Sequence, residues 1–130
     1  MKTGDYGMNN NLINEIQKET YETALDYLPK LIKTAALVAK EFQGEEQEDT
    51  KDLFNQVVEG INWILDVYNH SDSILYRGGE QGTKEELEEK IQRLSHAISK
   101  QNKQEMGNAL TEDMIPFLEK YLEEILIKLK

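Results

Sequence analysis

Two histidines, His70 and His96, supply the only imidazoles of this chain, and there is no cysteine. A proton shuttle, a soft nucleophile or a transition-metal site is ordinarily built from such side chains. Without a thiol, disulfides, thiolate metal sites and cysteine nucleophiles are excluded. His70 falls at the end of a helical pattern beside a polar stretch. His96 lies between Ser95 and Ala97, on the flank of an apolar stripe. Neither has serine or acidic neighbours of triad type in the sequence. A di-iron site in a helical bundle uses Glu-x-x-His pairs with further inward glutamates. The residues three positions before the two histidines are Val67 and Arg93, so neither pair exists. EF-hand, Walker and dinucleotide loops are missing too. "YRGGEQG" has glycines but neither the preceding strand pattern nor the lysine-serine or lysine-threonine that a phosphate loop needs. No catalytic residue, metal or cofactor is expected.

Carboxylates are the other source of chemistry. Acidic runs at Glu45 to Asp52 and Glu85 to Glu89 lie where helices begin, as the helix dipole favours. They read as solvated surface, or functionally as a docking patch for a basic partner. Asp113 is different. It falls at the edge of the last helix's core stripe, three residues before Pro116. A buried carboxylate must find a partner, and Tyr21 or Tyr27 of a neighbouring helix is the expected one.

The strongest binding signal is the stretch "VVEGINWILDVYNH", Val57 to His70, which holds the only tryptophan. At about 100° per residue, Val57, Val58, Ile61, Ile64, Leu65 and Tyr68 share one face. Gln56, Gly60, Trp63, Val67 and His70, spaced by four, three, four and three, form a second seam roughly opposite. Gly60 costs helix stability on the order of 1 kcal/mol relative to alanine, and lets another backbone come close. Three occupants are open for this seam. The N-terminal lead or the Ile74–Tyr76 segment folds over it, or its twin meets it in a homodimer, or another protein docks there. Leu37, on the back of the first helix, is a solitary apolar residue that needs no explanation.

Helices position these residues. The first is expected from Asn10 or Asn11, either of which is a cap, through Phe42. Its stripe is Ile13, Tyr21, Ala24, Leu28, Leu31, Ile32, Ala35, Val38, Ala39 and Phe42. Pro29 predicts a kink rather than a break, because the apolar phase continues across it. Gly44 stands at the C-cap position. The second helix runs from about Thr50 to Asn69, followed by a loop "HSDSILYRGGEQG". Thr83, with Glu86 three residues on, opens the third helix as a capping box, and Asn102 with Glu105 repeats that signal for the fourth. The link between the third and fourth is short enough to force an antiparallel hairpin. Pro116 predicts a kink in the fourth helix, about Lys103 to Lys130. The fold class is all-α: an antiparallel four-helix bundle with kinked first and last helices, residues 10–130, behind a flexible lead of residues 1–9.

At 130 residues the chain fits one domain. Its net charge of −10, from 25 acidic and 15 basic residues, leaves no basic face for nucleic acid or for anionic membrane. Residues 1–11, "MKTGDYGMNNN", hold no apolar signal core, and no apolar run approaches the roughly 20 residues of a membrane span. Freedom from cysteine fits a reducing cytoplasm.

"ALTEDMIPFLEKYLEEIL", preceded by the short capped turn "SKQNKQE", resembles the C-terminal helix of small acidic helical-bundle proteins of unknown function from low-GC Gram-positive bacteria. The resemblance covers roughly the last third of the chain. Where those proteins often carry glutamate before the apolar-proline pair, Asp113 and Met114 stand here. It implies a cytosolic bacterial bundle and transfers no catalytic residue. The expected role is a non-enzymatic protein-interaction module, an adaptor or regulator, binding a protein partner or itself through Gln56, Gly60, Trp63, Val67 and His70. An export-chaperone-like bundle holding a partner's helix is the alternative. A cryptic carboxylate metal protein or enzyme is the second alternative.

Overall fold

A computed structural model describes residues 2–70, 77–79 and 82–129, with side chains for residues 15–70 and 85–129. Helix α1 spans Lys2–Gln43, α2 Thr50–Asn69 and α3 Lys84–Ser99. The fourth helical segment is α4, Lys103–Ala109, then a π-helical turn, Leu110–Met114, then α5, Ile115–Lys128. Strands β1, Arg77–Gly79, and β2, Gly82–Thr83, pair antiparallel in the stretch expected to be only a loop. The chain is otherwise all-helical among the described residues, as the sequence periodicity requires. Helix α1 starts at Lys2, not at the Asn10 or Asn11 cap, so helical backbone already covers the stretch read as a lead.

One core joins the four segments. Helix α1 contributes Ala24, Leu28, Leu31, Ala35 and Val38; α2 contributes Phe54, Val57, Ile61 and Ile64; α3 contributes Leu87, Leu94 and Ala97. Tyr121, Phe117, Met114, Leu110 and Ile125 of the fourth segment are fully buried. Side chains of this size contribute about 1.5–3 kcal/mol each on burial. Tyr68 packs edge-on to Phe117 and Tyr121, with centroids at 5.3 and 5.4 Å, and those two rings stack at 6.0 Å. Phe42 meets Phe54 edge-on at 5.1 Å, closing the other end of the α1–α2 contact.

The connection between α1 and α2 is held by a buried threonine. Thr50 donates its hydroxyl to Glu41 Oε1 at 2.7 Å and accepts the Gln47 N–H at 2.8 Å. Gly44 follows α1 as expected, but outside the left-handed region; its N–H bonds the Glu41 carbonyl at 3.3 Å.

The junction of α3 and α4 follows the capping logic read from sequence. Asn102 is the N-cap, its side chain accepting the Glu105 N–H at 3.1 Å. The reciprocal half of the box is not used, because the Asn102 N–H bonds the Ala97 carbonyl at 3.1 Å while the Gln101 N–H bonds Ile98 at 3.0 Å. This is a Schellman closure of α3. Gln101 takes the left-handed position, φ 53°, that glycine usually fills.

Pro116 has an identifiable consequence. It lacks the N–H that would bond the Glu112 carbonyl, and its ring crowds that carbonyl. The preceding turn widens to the π form, with the Ile115 N–H reaching back five residues to Leu110. One extra residue in a turn shifts everything before it by most of a residue step around the helix. Asp113, which lies in this turn, is buried.

Candidate functional site

The five seam residues divide between two environments. Gly60 and Val67 are buried against α1, in the core between the two helices. Gln56, Trp63 and His70 are exposed, Trp63 at 38%. The seam is therefore not a free face opposite the core. It is the border where α1 lies on α2, with the indole at the rim.

What approaches Gly60 is a side chain, not a backbone. A Cβ placed there would stand 2.2 Å from the Tyr27 hydroxyl oxygen and 2.8 Å from Leu31 Cδ1. The missing side chain lets Tyr27 lie across α2 and meet Trp63 edge-to-face, with centroids 5.8 Å apart and planes at 86°. Edge-to-face pairs are the arrangement the ring quadrupoles favour. Between the helices opens a groove of about 540 Å³, lined by Thr23, Asp26 and Tyr27 of α1 and by Gln56, Glu59, Gly60 and Trp63 of α2. Its two acids are exposed; Asp26 makes a within-helix contact to Lys30 at 3.4 Å. Exposed pairs of this kind contribute little, so the groove's negative charge is only weakly compensated.

Val67 and His70 line a separate, smaller cavity of about 170 Å³ with Ile16, Gln17, Thr20 and Tyr21. His70 serves as the C-cap of α2: its N–H bonds the Asp66 carbonyl at 3.1 Å, and its Nδ1 lies 2.8 Å from the same oxygen. The structure thus brings Gln56, Gly60 and Trp63 together and separates them from His70. The Ile74–Tyr76 segment, one proposed cover, lies outside the described residues.

Sequence reasoning missed Tyr27, Thr23, Asp26 and Glu59. A signal existed. Thr23 and Tyr27 are spaced by four on α1, as Gln56 and Gly60 are on α2. Nothing in the sequence said that these two rows cross at the same level.

Asp113 has a different partner from the tyrosines expected. Arg93 of α3 places Nη1 3.3 Å from Asp113 Oδ2 and Nη2 2.9 Å from Glu112 Oε2. Burial pushes the Asp113 carboxyl above its ordinary range, and the positive charges of Arg93 and Lys90 oppose that shift without cancelling it. The hydrogen bond from Arg93 to Glu112, with the charge of Asp113, raises the guanidinium further. The cluster pins α3 to the π turn. Among the described residues, no three His, Asp or Glu side chains group as a metal ion would require. Nor is any helix there long and apolar enough to cross a membrane.

Residues 19–124 match a family described as a domain of unknown function, DUF8042. The chain belongs to that family. The match takes in both walls of the groove and the Arg93–Asp113 contact. No curated protein and no solved structure matches the chain.

Proposed function

We propose that this DUF8042 member is a non-enzymatic protein-interaction module, an adaptor or regulator, whose docking site is the groove between α1 and α2. The observation that carries the reading is the partly exposed Trp63, set against Tyr27 in a groove that is open among the described residues. Tryptophan and tyrosine are the side chains most enriched where interfaces concentrate their binding energy. The reading takes the helices as an antiparallel bundle bent at Pro29 and Pro116, working in the cytoplasm. Opposed pairings support that arrangement. Along α1, Tyr27 meets the later α2 residue Trp63, whereas Phe42 further on meets the earlier α2 residue Phe54. Lys128 over Tyr21 and Gln43 against Asn108 oppose α1 and the last segment in the same way.

The test is a partner that depends on the groove. A protein captured from lysate by the wild type is purified and titrated against wild type, Trp63→Ala and Leu37→Ala. Leu37 is a comparably exposed apolar residue, at 46%, on another part of α1. The expected result is at least a tenfold loss of affinity for Trp63→Ala, about 1.4 kcal/mol, with Leu37→Ala unchanged. Equal binding by all three overturns the reading.

A further inference from the structure

The groove has a chemical character that narrows its occupant. Two aromatic rings at 86° form a corner, and the faces of such rings are electronegative. Gly60 lets the Tyr27 ring lie close on α2, which sets that corner. Asp26 and Glu59 stand on opposite walls, one from each helix, and no lysine or arginine is among the described lining residues. The whole chain carries −10. Aromatic faces joined with acids attract cations both by the ring quadrupole and by charge. A neutral apolar helix would bury Asp26 and Glu59 without compensation, which costs free energy. A lysine or arginine side chain suffers no such penalty, since its stem covers the rings and its head meets the acids.

Resting on the docking reading above, we propose that the α1–α2 groove takes a basic segment of a partner protein, one lysine or arginine side chain laid in the Tyr27–Trp63 corner and charge-paired with Asp26 and Glu59. Arginine fits best, because its planar guanidinium stacks on an indole and still forks to a carboxylate. Electrostatic attraction of this kind also raises the association rate and makes it sensitive to salt.

The single tryptophan makes the corner directly observable. Full-length protein is titrated with a tetra-arginine peptide, a tetraglutamate peptide and an amphipathic apolar helical peptide without basic residues. Trp63 emission and amide chemical shifts are recorded. Tetra-arginine is expected to change Trp63 emission and to shift the Tyr27, Gly60 and Trp63 amides, with tetraglutamate inert. The double variant Asp26→Asn with Glu59→Gln is expected to weaken tetra-arginine binding at least fivefold. Both acids are exposed, so this variant keeps its fold, checked by an unchanged thermal midpoint. Shifts confined to the acidic run Glu45 to Asp52, or affinity unchanged in the double variant, overturn the cation proposal. If the apolar peptide fills the groove and tetra-arginine does not, the cation proposal falls and the docking site stands. If neither peptide perturbs the groove and light scattering shows a concentration-dependent dimer shielding Trp63, a second copy is the occupant and both fall.

Discussion

Helix α1 makes two of its contacts through a glycine, and the two glycines face different things. Gly107 of α4 faces both side chain and backbone: a Cβ there would stand 3.0 Å from Gln43 Cγ and 3.2 Å from the Ala39 carbonyl oxygen. Gly60 of α2 faces the ends of two side chains, the Tyr27 hydroxyl and a Leu31 methyl. The first contact includes a backbone oxygen that cannot turn aside, beside the Gln43 side chain. The second is bounded by groups that rotate. A surface that must admit a partner is better placed on the second kind of contact, and that is where the groove lies. The closed contact is reinforced beside it by the Gln43–Asn108 hydrogen bond at 2.6 Å and by the Lys103–Glu46 ion pair.

The largest effect should come from attacking the closed contact. Gly107→Val drives branched methyls toward the Ala39 carbonyl, which belongs to the α1 backbone and cannot turn aside. Overpacking of this kind costs about 1–3 kcal/mol, and the upper part of that range is expected here. Urea unfolding measures it. A loss under about 0.5 kcal/mol would mean that α4 slides along α1 freely, and the distinction between the two contacts would be gone.

Next in size is the charged pin on the closed side. Arg93→Ala leaves Asp113 buried among apolar groups without its guanidinium. Removing one partner from a buried hydrogen bond costs about 1–3 kcal/mol. The lower half of that range applies, since Arg93 itself is half exposed. The pH dependence has a definite sign. The Asp113 value is raised on folding, so its neutral form is the one the fold prefers. That contribution is fully present below the ordinary value of 3.8 and is lost as pH rises through the raised one. The Arg93→Ala deficit is therefore largest near neutrality and shrinks as acid protonates Asp113. Thermal midpoints of both proteins between about pH 7 and pH 4.5 should converge; parallel curves would mean that the Asp113 carboxylate does not carry the effect of Arg93.

These contacts differ in how far the sequence disclosed them. The bounds of α2 and the Asn102 cap were legible because they rest on local signals: a periodic stripe and one side chain three residues from its target. The exposure of Trp63 was legible from the same period, but not its place at the border with α1 rather than on the far side of α2. The Tyr27–Trp63 pair was not, because it depends on the level at which two helices cross. The Arg93–Asp113 contact was hidden for the same reason: the place of Asp113 at the edge of the core stripe was legible, but the level at which α3 meets that turn was not. The π form of the turn was not legible either, because a wheel drawn at one fixed angle cannot represent it. Pro116 gave notice of an irregularity but not of its form. Gly107 carried no flag at all, since a glycine inside a helix announces close packing only once its neighbour is known.

The smallest expected change in stability is also the most informative about the open contact. Gly60→Ala adds a methyl where only side-chain ends stand in the way. Helix propensity gains about 1 kcal/mol from the replacement, and swinging Tyr27 aside costs a comparable amount. The net change should stay within about 1 kcal/mol. The optical consequence should be larger than the thermodynamic one. Tyr27 would leave the indole edge, and Trp63 emission would move to the red and become easier to quench. A loss above about 2 kcal/mol, with emission unchanged, would mean that Tyr27 is held as firmly as the α1 backbone is at Gly107. The two glycines would then do the same job, and the groove would be a rigid seam with no means of adjusting to a partner.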